Sequence, residues 1–329
     1  MPPASSIPPG RGISDQPCRG RIAHNLFMRP LRRLRGLLLI ASLLGVGVWV
    51  RTLPPLKVAP ALATWRPWGR ATLVTLYFGD GRFLFPVSRR IPAADDLPRA
   101  ALQALVAGPT DGSGLDSPIP AGVEIRSVTL VDTAARIDLS EAFLTEPRDA
   151  RAAETAIIET MTALPGVDSV SLTVEGKPLV ESAARLPLLY YASAKGLVAV
   201  PVSVTDPRSA VRQFLLGPPD RELTGLPPDV RLLAYEHDTA DGQLSLNFSY
   251  TPSVHALALE KPEQMRTLLL GLIVSLTEFR GVRTVQIDFE GQTRLGLGQC
   301  SDLLRTPQPR PALLNDERLL DRAKPGRGR

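Results

Sequence analysis

The chain has 329 residues, of which 44% are hydrophobic, so it is long enough to bury the cores of two compact domains. Its net charge of +5 comes from the ends, because residues 1–35 hold seven arginines and one acidic residue, whereas residues 71–300 hold 20 basic and 28 acidic residues. The acidic central part offers no basic surface for a phosphate backbone, which excludes nucleic acid as an expected partner.

The N-terminal region predicts a membrane anchor. Residues 1–35 are rich in Pro, Ser and Arg and are expected to form a basic, disordered cytoplasmic segment. The apolar run that follows predicts a single transmembrane helix at residues 36–53, and the arginines before it place the N-terminus in the cytoplasm and everything later outside the cell membrane. Residues 54–70 are assigned as a linker.

A cleaved signal peptide is the alternative to this anchor. The nearest small-x-small cleavage site, Ala61-Leu62-Ala63, lies more than ten residues beyond the apolar run, which favours an uncleaved helix. In an anchored protein Cys18 and Cys300 lie on opposite sides of the membrane, so no disulfide within the chain is expected.

The most informative pattern is an internal repeat. Residues 72–179 recur at residues 188–294 in the same order, and the Gly-Pro pairs that begin at Gly108 and Gly217 are 109 positions apart. Changes in this offset are confined to turns, as expected after a duplication, because surface connections tolerate insertion better than core elements. The two domains are assigned to residues 71–181 and 186–296.

Each copy predicts the same order of elements. Two β-like segments come first, then a helix with an i, i+3, i+4 apolar stripe that ends at the Gly-Pro pair; Asp206 before Pro207 is expected to cap the helix of the second copy. A second strand pair, a second amphipathic helix and an alternating strand follow. Each copy is therefore a β-β-α-β-β-α-β unit of α+β class, a small mixed sheet with two helices on one face and with sheet edges free for a neighbour.

These residues resemble a known family. A helix ending in L-x-x-G-P, a P-x-x-V segment, a D-L-S or N-F-S strand and a closing V-x-x-V strand before a Gly are similar to the GerMN domain of sporulation and spore germination proteins. The resemblance covers residues 70 to 295. It implies an exported, non-enzymatic protein whose modules are similar in fold to ring-building motifs, which help to assemble a channel complex between mother cell and forespore. Its partners would be envelope or sporulation-complex proteins. Lipoprotein members carry a lipidated Cys that this chain lacks.

No site chemistry is expected. Asp138 and Asn247 occupy equivalent strand positions, with Ser140 and Ser249 two residues later, and the loss of charge in the second copy favours a structural role at a strand end over general acid–base catalysis. The three histidines, His24, His237 and His255, are expected in solvated segments rather than at a metal. We therefore assign no catalytic, cofactor-binding or metal-binding residue and expect no enzyme.

A second class of function stays open. A protein of vegetative cells that binds peptidoglycan or another envelope glycan would need exposed aromatic side chains in a cleft, and Tyr190, Tyr191, Tyr235 and Tyr250 are the candidates. The Pro- and Arg-rich residues 297–329 are expected to be a flexible basic tail, with a short helix within residues 313–322.

Overall fold

The computed structural model describes residues 71–145 and 150–320, which belong to one compact unit. The predicted cytoplasmic segment, transmembrane anchor and linker, residues 1–70, lie outside the described residues. Within the described ranges no helix has the length and apolarity that a membrane span requires.

The first module contains β1 (Ala71–Gly79), β2 (Leu84–Pro92), α1 (Leu97–Val106), β3 (Ile125–Val131), β4 (Ala134–Leu139), α2 (Ala150–Thr162), β5 (Ser169–Val174) and β6 (Lys177–Ala184). The second contains β7 (Leu188–Ala192), β8 (Leu197–Pro201), α3 (Pro207–Leu215), β9 (Leu232–Asp238), β10 (Gln243–Phe248), α4 (Pro252–Glu260), α5 (Pro262–Leu276) and β11 (Thr284–Phe289). The predicted order is confirmed in both modules; β6 and α4 are additions to it.

Three four-stranded sheets organise these elements, in the orders β1-β2-β8-β7, β3-β4-β5-β6 and β12-β11-β10-β9, where β12 is the short strand Gln308–Pro309. The α+β class is confirmed. The opening hairpins of the two modules do not join the sheets of their own modules, however; they pair with each other at Leu84 and Ala199 to form one central antiparallel sheet. All five residues of β7 are buried, and such a continuous apolar strand belongs between layers rather than at a surface.

The first helix of each module is bounded as the sequence indicates. The carboxylate of Asp206 accepts a hydrogen bond from Ser209 N at 2.9 Å, with Pro207 in the first turn of α3, and Asp96 caps α1 in the same way. Both helices end before a glycine with positive φ, Gly108 at 83° and Gly217 at 90°. A side chain at either position would strain the backbone, so the Gly-Pro pairs are conformational stops.

The C-terminal region is folded, contrary to the prediction from its sequence. Residues 297–329 are predicted to be a flexible tail, but residues 298–320 fold onto both modules through α6 (Ser301–Arg305), β12 and α7 (Glu317–Leu320). Cys300 and Leu304 are fully buried, and the side chain of Asn315 bonds to Pro86 O at 2.8 Å and to Leu197 O at 2.9 Å. Apolar burial and these bonds to backbone groups hold the segment in place. We call residues 311–320 the strap; residues 321–329 lie outside the described ranges.

Candidate functional site

The polar pair predicted to be structural is structural. Asp138 Oδ1 accepts a hydrogen bond from Gly176 N at 2.9 Å, and Asn247 Oδ1 accepts one from Gly291 N at the same distance. Ser140 and Ser249 likewise each accept a backbone N–H, from Glu124 and Arg231 at 2.9 Å. All four side chains thus hold turns next to strand ends, in both modules alike.

The histidines do not converge. His237 lies in β9, which runs on to Asp238, while His255 is exposed on α4 and its Nδ1 lies 2.7 Å from Tyr250 Oη. His24 lies outside the described residues. In the part of the chain that the structure describes, no group of three or more His, Cys, Asp or Glu residues is placed to hold a metal ion.

Two of the four tyrosines proposed for glycan stacking are inaccessible. Tyr190 and Tyr191 are 0% and 1% exposed, so neither can offer a ring face to a sugar. Tyr235 and Tyr250 are half-buried, and the guanidinium of Arg208 lies 5.2 Å above the ring of Tyr235. The aromatic cleft that a glycan-binding protein needs is therefore not assembled from these residues.

The centre of the molecule is a seam where the modules meet through equivalent residues. Tyr77 on β1 and Tyr190 on β7 hold matching positions, and their hydroxyl oxygens lie 3.0 Å apart. The backbone N–H of each tyrosine is satisfied from its own module, Tyr77 N by Thr160 Oγ1 at 3.2 Å and Tyr190 N by Ser275 Oγ at 2.8 Å. Side-chain hydroxyls on α2 and α5 thus cap the two edges of the central sheet that have no further strand.

Buried charges surround this tyrosine pair. Arg185, between β6 and β7, bonds to both tyrosine hydroxyls, at 3.0 and 3.2 Å, and forms ion pairs with Glu159 on α2 at 3.3 Å and with Glu278 at 2.8 Å. The C-terminal segment contributes Arg310, whose Nη1 lies 2.6 Å from Glu278 Oε1. Each glutamate therefore faces an arginine, and such pairing lowers the cost of burying ionisable groups.

Burial shifts the ionisation of these groups. Desolvation raises the pKa of Glu159 from 4.5 to about 7, against the opposing effect of Arg185. Desolvation also raises the pKa of Tyr77 to about 12 and that of Tyr190 well above 10, so both hydroxyls keep their protons at neutral pH. The tyrosines act as hydrogen-bonding groups and not as bases.

A groove of about 490 Å³ opens beside this network, between the end of α2, the link to β7 and the end of α5. Arg185 and Glu278 form part of its wall, and Arg280 reaches Asp168 across it at 3.6 Å. The charged groups in the wall are already engaged with one another. The arrangement joins the two modules, and among the described residues of its wall no nucleophile lies beside a free base.

The accessible features lie at the outer sheets. β3 and β9 are equivalent edge strands of the two outer sheets, and each exposes apolar side chains. Leu130 and Val131 on β3 are 46% and 42% exposed, and Leu233 on β9 is 54% exposed. An edge strand with apolar side chains is a template for pairing with another chain.

The seam residues were not found from the sequence. Tyr77, Glu159, Arg185, Glu278 and Arg310 are scattered over more than 230 positions, and only the packing of one module on the other brings them together. The available signal was the recurrence of Tyr at equivalent positions 77 and 190, which marks a residue kept in both copies.

Comparison with known proteins agrees with this architecture. A family model described as "Germane: Sporulation and spore germination" matches residues 75–180 and again residues 188–295. No curated protein matches the chain.

The solved structures that are similar to this chain include two from one protein. The tandem GerMN domains of the sporulation protein GerM from Bacillus subtilis have 18% sequence identity and a TM-score of 0.57, over 75% of this chain and 99% of that one. The first GerMN domain of the same protein has 21% identity and a TM-score of 0.28, over 35% of this chain and 93% of that one. The tandem match shows a shared two-module fold. Because the family model covers both modules and more than half of the residues, the chain belongs to the Germane family, the GerMN-domain family of sporulation and spore germination.

Proposed function

We propose that the protein is a membrane-anchored, non-enzymatic envelope protein whose tandem GerMN unit is an interaction module in sporulation or spore germination. Family membership supports the biological setting. The apolar residues 36–53 behind an arginine cluster support a single-pass anchor with the modules outside the cytoplasm. The partners would be other envelope or sporulation-complex proteins, and peptidoglycan is a further candidate.

One observation carries this proposal: two accessible edge strands are presented by one rigid unit. β3 and β9 belong to different outer sheets, while the central sheet and the buried seam join the modules that carry them. The apolar exposure of Leu130, Val131 and Leu233 suits addition of a strand from a partner. Because the joint is buried and bonded, the two edges keep a fixed geometry, which is useful in an assembly.

A non-enzymatic role is the better match to the described groups. Glu159 has a pKa near neutrality, as catalytic acids often do, but it is 4% exposed and engaged by Arg185. A general acid or base must reach the proton that it transfers. Incubation of the purified protein with muropeptides is expected to leave them unchanged, and a new product would contradict this part of the proposal.

The decisive experiment is complementation of a clean deletion in the native host. We expect the deletion to lower the count of heat-resistant spores while vegetative growth stays normal, and the wild-type gene to restore the count. A double variant, Leu130→Lys and Leu233→Lys, is expected to restore it poorly because charge on an edge strand opposes pairing. Leu259→Lys, at an exposed leucine on α4, is the matched control and should restore it fully.

Protein abundance must be equal among these strains for the comparison to hold, which an immunoblot checks. If the Leu130→Lys, Leu233→Lys variant restored the spore count fully, the sporulation role would stand, but the contact surface would have to lie outside these edge strands. Normal spore counts in the deletion strain, together with envelope defects in growing cells, would contradict the sporulation role and favour the vegetative glycan-binding alternative.

A further inference from the structure

The first module binds the strap in a groove beside β2. Glu317 forms an ion pair with Arg89 at 2.5 Å and accepts hydrogen bonds from Thr110 N at 3.1 Å and Thr110 Oγ1 at 2.9 Å. Asn315 O accepts a hydrogen bond from Ser88 N at 3.2 Å. Arg89 itself donates to the carbonyl oxygens at the end of α1, those of Ala104 and Gly108, at 3.1 and 3.0 Å. An acidic side chain at the start of α7 thus anchors the strap on a half-buried arginine.

The repeat identifies the matching surface of the second module. Both opening hairpins have the same strand register, since Phe78 pairs with Phe85 and Tyr191 pairs with Val198, so strand positions differ by 113. The Gly-Pro pairs fix the helix ends at a difference of 109. The strap-binding residues Ser88, Arg89 and Thr110 therefore correspond to Pro201, Val202 and Pro219, and Ala104 and Gly108, which hold Arg89, correspond to Gln213 and Gly217.

The structure places an open groove at this matching surface. Its volume is about 320 Å³, and its wall includes four of the five counterparts, Pro201, Val202, Gln213 and Pro219. Pro201 and Pro219 are exposed, and within the described ranges no segment of the chain covers the groove as the strap covers its equivalent. The same scaffold thus presents an occupied groove in one module and an open one in the other.

The residues that differ between the two grooves indicate what kind of side chain the second groove can bind. Val202 replaces the arginine that binds Glu317, and Pro219 replaces the threonine whose N–H and hydroxyl complete that carboxylate site. A carboxylate placed there would lose its charge partner and its donors, whereas an apolar side chain would bury surface against Val202, Pro201 and Pro219. We propose that this groove docks a short segment of a partner protein that carries an apolar side chain at the position taken by Glu317 in the strap.

Two labelled peptides of residues 309–320 test the proposal by fluorescence anisotropy with the full chain in detergent. Both carry Asn315→Ala. The place that this asparagine would need beside the second groove is already filled, because β2 and β8 pair directly there, at Leu84 and Ala199. One keeps Glu317 and the other carries Glu317→Leu. We expect the Leu peptide to bind at least about tenfold more tightly, a difference of about 1.4 kcal/mol.

A charge exchange locates the binding. Val202→Arg introduces the arginine that the first module has at this position. It would lie next to the carbonyl groups of Gln213 and Gly217, which match the carbonyl groups that hold Arg89. We expect this variant to bind the Glu peptide more tightly than the Leu peptide. Thr205→Arg adds the same charge at an exposed position outside the groove wall and should leave the preference unchanged. If Val202→Arg fails to fold, Pro219→Thr at an exposed position gives the second test, with a reduced preference for the Leu peptide.

Three results would each overturn the proposal. Neither peptide binds, the wild type binds the Glu peptide more tightly than the Leu peptide, or both groove variants keep the preference of the wild type. The groove shares no residue with the edge strands β3 and β9. Its test is a binding measurement with defined peptides, so its outcome is independent of the spore counts that test the proposed function.

Discussion

The two modules keep the hydroxyl-bearing residues that meet at the seam and differ in the residues that line the strap groove. Tyr77 and Tyr190 are the same residue at the seam, and Thr160 and Ser275 supply the same hydroxyl to the edges of the central sheet. Arg89 and Val202, by contrast, give one groove a charge and leave the other apolar. The duplication therefore retained the joint and changed the surface, which is where two copies can take on different partners.

The packing of α5 on β7 in the second module is closer than the equivalent packing in the first, and it gives the largest expected effect of a substitution on stability. Gly271 on α5 is the counterpart of Ala156 on α2, because it is 115 positions away, as Ser275 is from Thr160. A Cβ at Gly271 would lie 2.2 Å from Tyr190 O, so α5 can pack this closely on β7 only without a side chain there. Gly271→Ala is expected to lower the free energy of unfolding by about 3 kcal/mol, measured by urea denaturation of the full chain.

The matched control is the reverse change in the first module. Ala156→Gly removes a buried methyl group and loosens α2, and we expect a loss of only about 1 kcal/mol in the same assay. If the two variants were equally destabilised, the closer approach in the second module would not be the limiting contact.

The strap makes the second difference between the modules. Asn315 is buried, and its amide bonds to Pro86 O, Leu197 N and Leu197 O at 2.8 to 2.9 Å, where β2 and β8 have separated. Asn315→Ala leaves these backbone groups without their partner and is expected to cost about 2 kcal/mol of unfolding free energy. Arg318→Ala, at an exposed strap position, should change it little; an equal loss would show that the strap acts through its whole length rather than through this amide.

Sequence periodicity predicted what repeats locally, and it missed what depends on long-range packing. The order of elements, the cap at Asp206, the glycine stops and the structural role of Asp138 were all predictable, because each involves residues close in sequence or an alternation that recurs in both copies. The central sheet was not predictable, since a hairpin does not specify which sheet it joins. The strap was missed because it lies within a Pro- and Arg-rich tail, a composition typical of disorder, while buried side chains such as Asn315 and Glu317 hold it on the core.

The seam holds a titratable carboxyl group, that of Glu159, at a position where the second module has Val274. Burial raises the pKa of Glu159 from 4.5 to about 7, so between these pH values the unfolded chain has released a proton that the folded protein retains. Stability is therefore greatest below pH 4.5 with respect to this group and falls as the pH rises to 7, by about 1.4 kcal/mol per pH unit. Glu159→Gln is expected to flatten this part of the pH dependence, measured as unfolding free energies at pH 5, 6 and 7.

Glu181→Gln removes an exposed carboxylate from β6 and is the control for this titration. Its pH dependence should match that of the wild type. A wild-type stability that rises between pH 5 and pH 7, or a Glu159→Gln variant with an unchanged slope, would show that Glu159 is ionised in the folded protein.

The contact between the hydroxyl groups of Tyr77 and Tyr190 has the smallest expected effect on stability. Tyr190→Phe should cost more than Tyr77→Phe, because the Tyr190 hydroxyl also donates to Glu278 Oε1 at 2.9 Å, whereas among the described residues the Tyr77 hydroxyl bonds to Tyr190 and Arg185 alone. A double-mutant cycle on urea unfolding is expected to give a coupling of about 1 kcal/mol between the two hydroxyls. A coupling near zero would mean that Arg185 satisfies each hydroxyl separately, in which case the modules are joined by that arginine and not by the tyrosine pair.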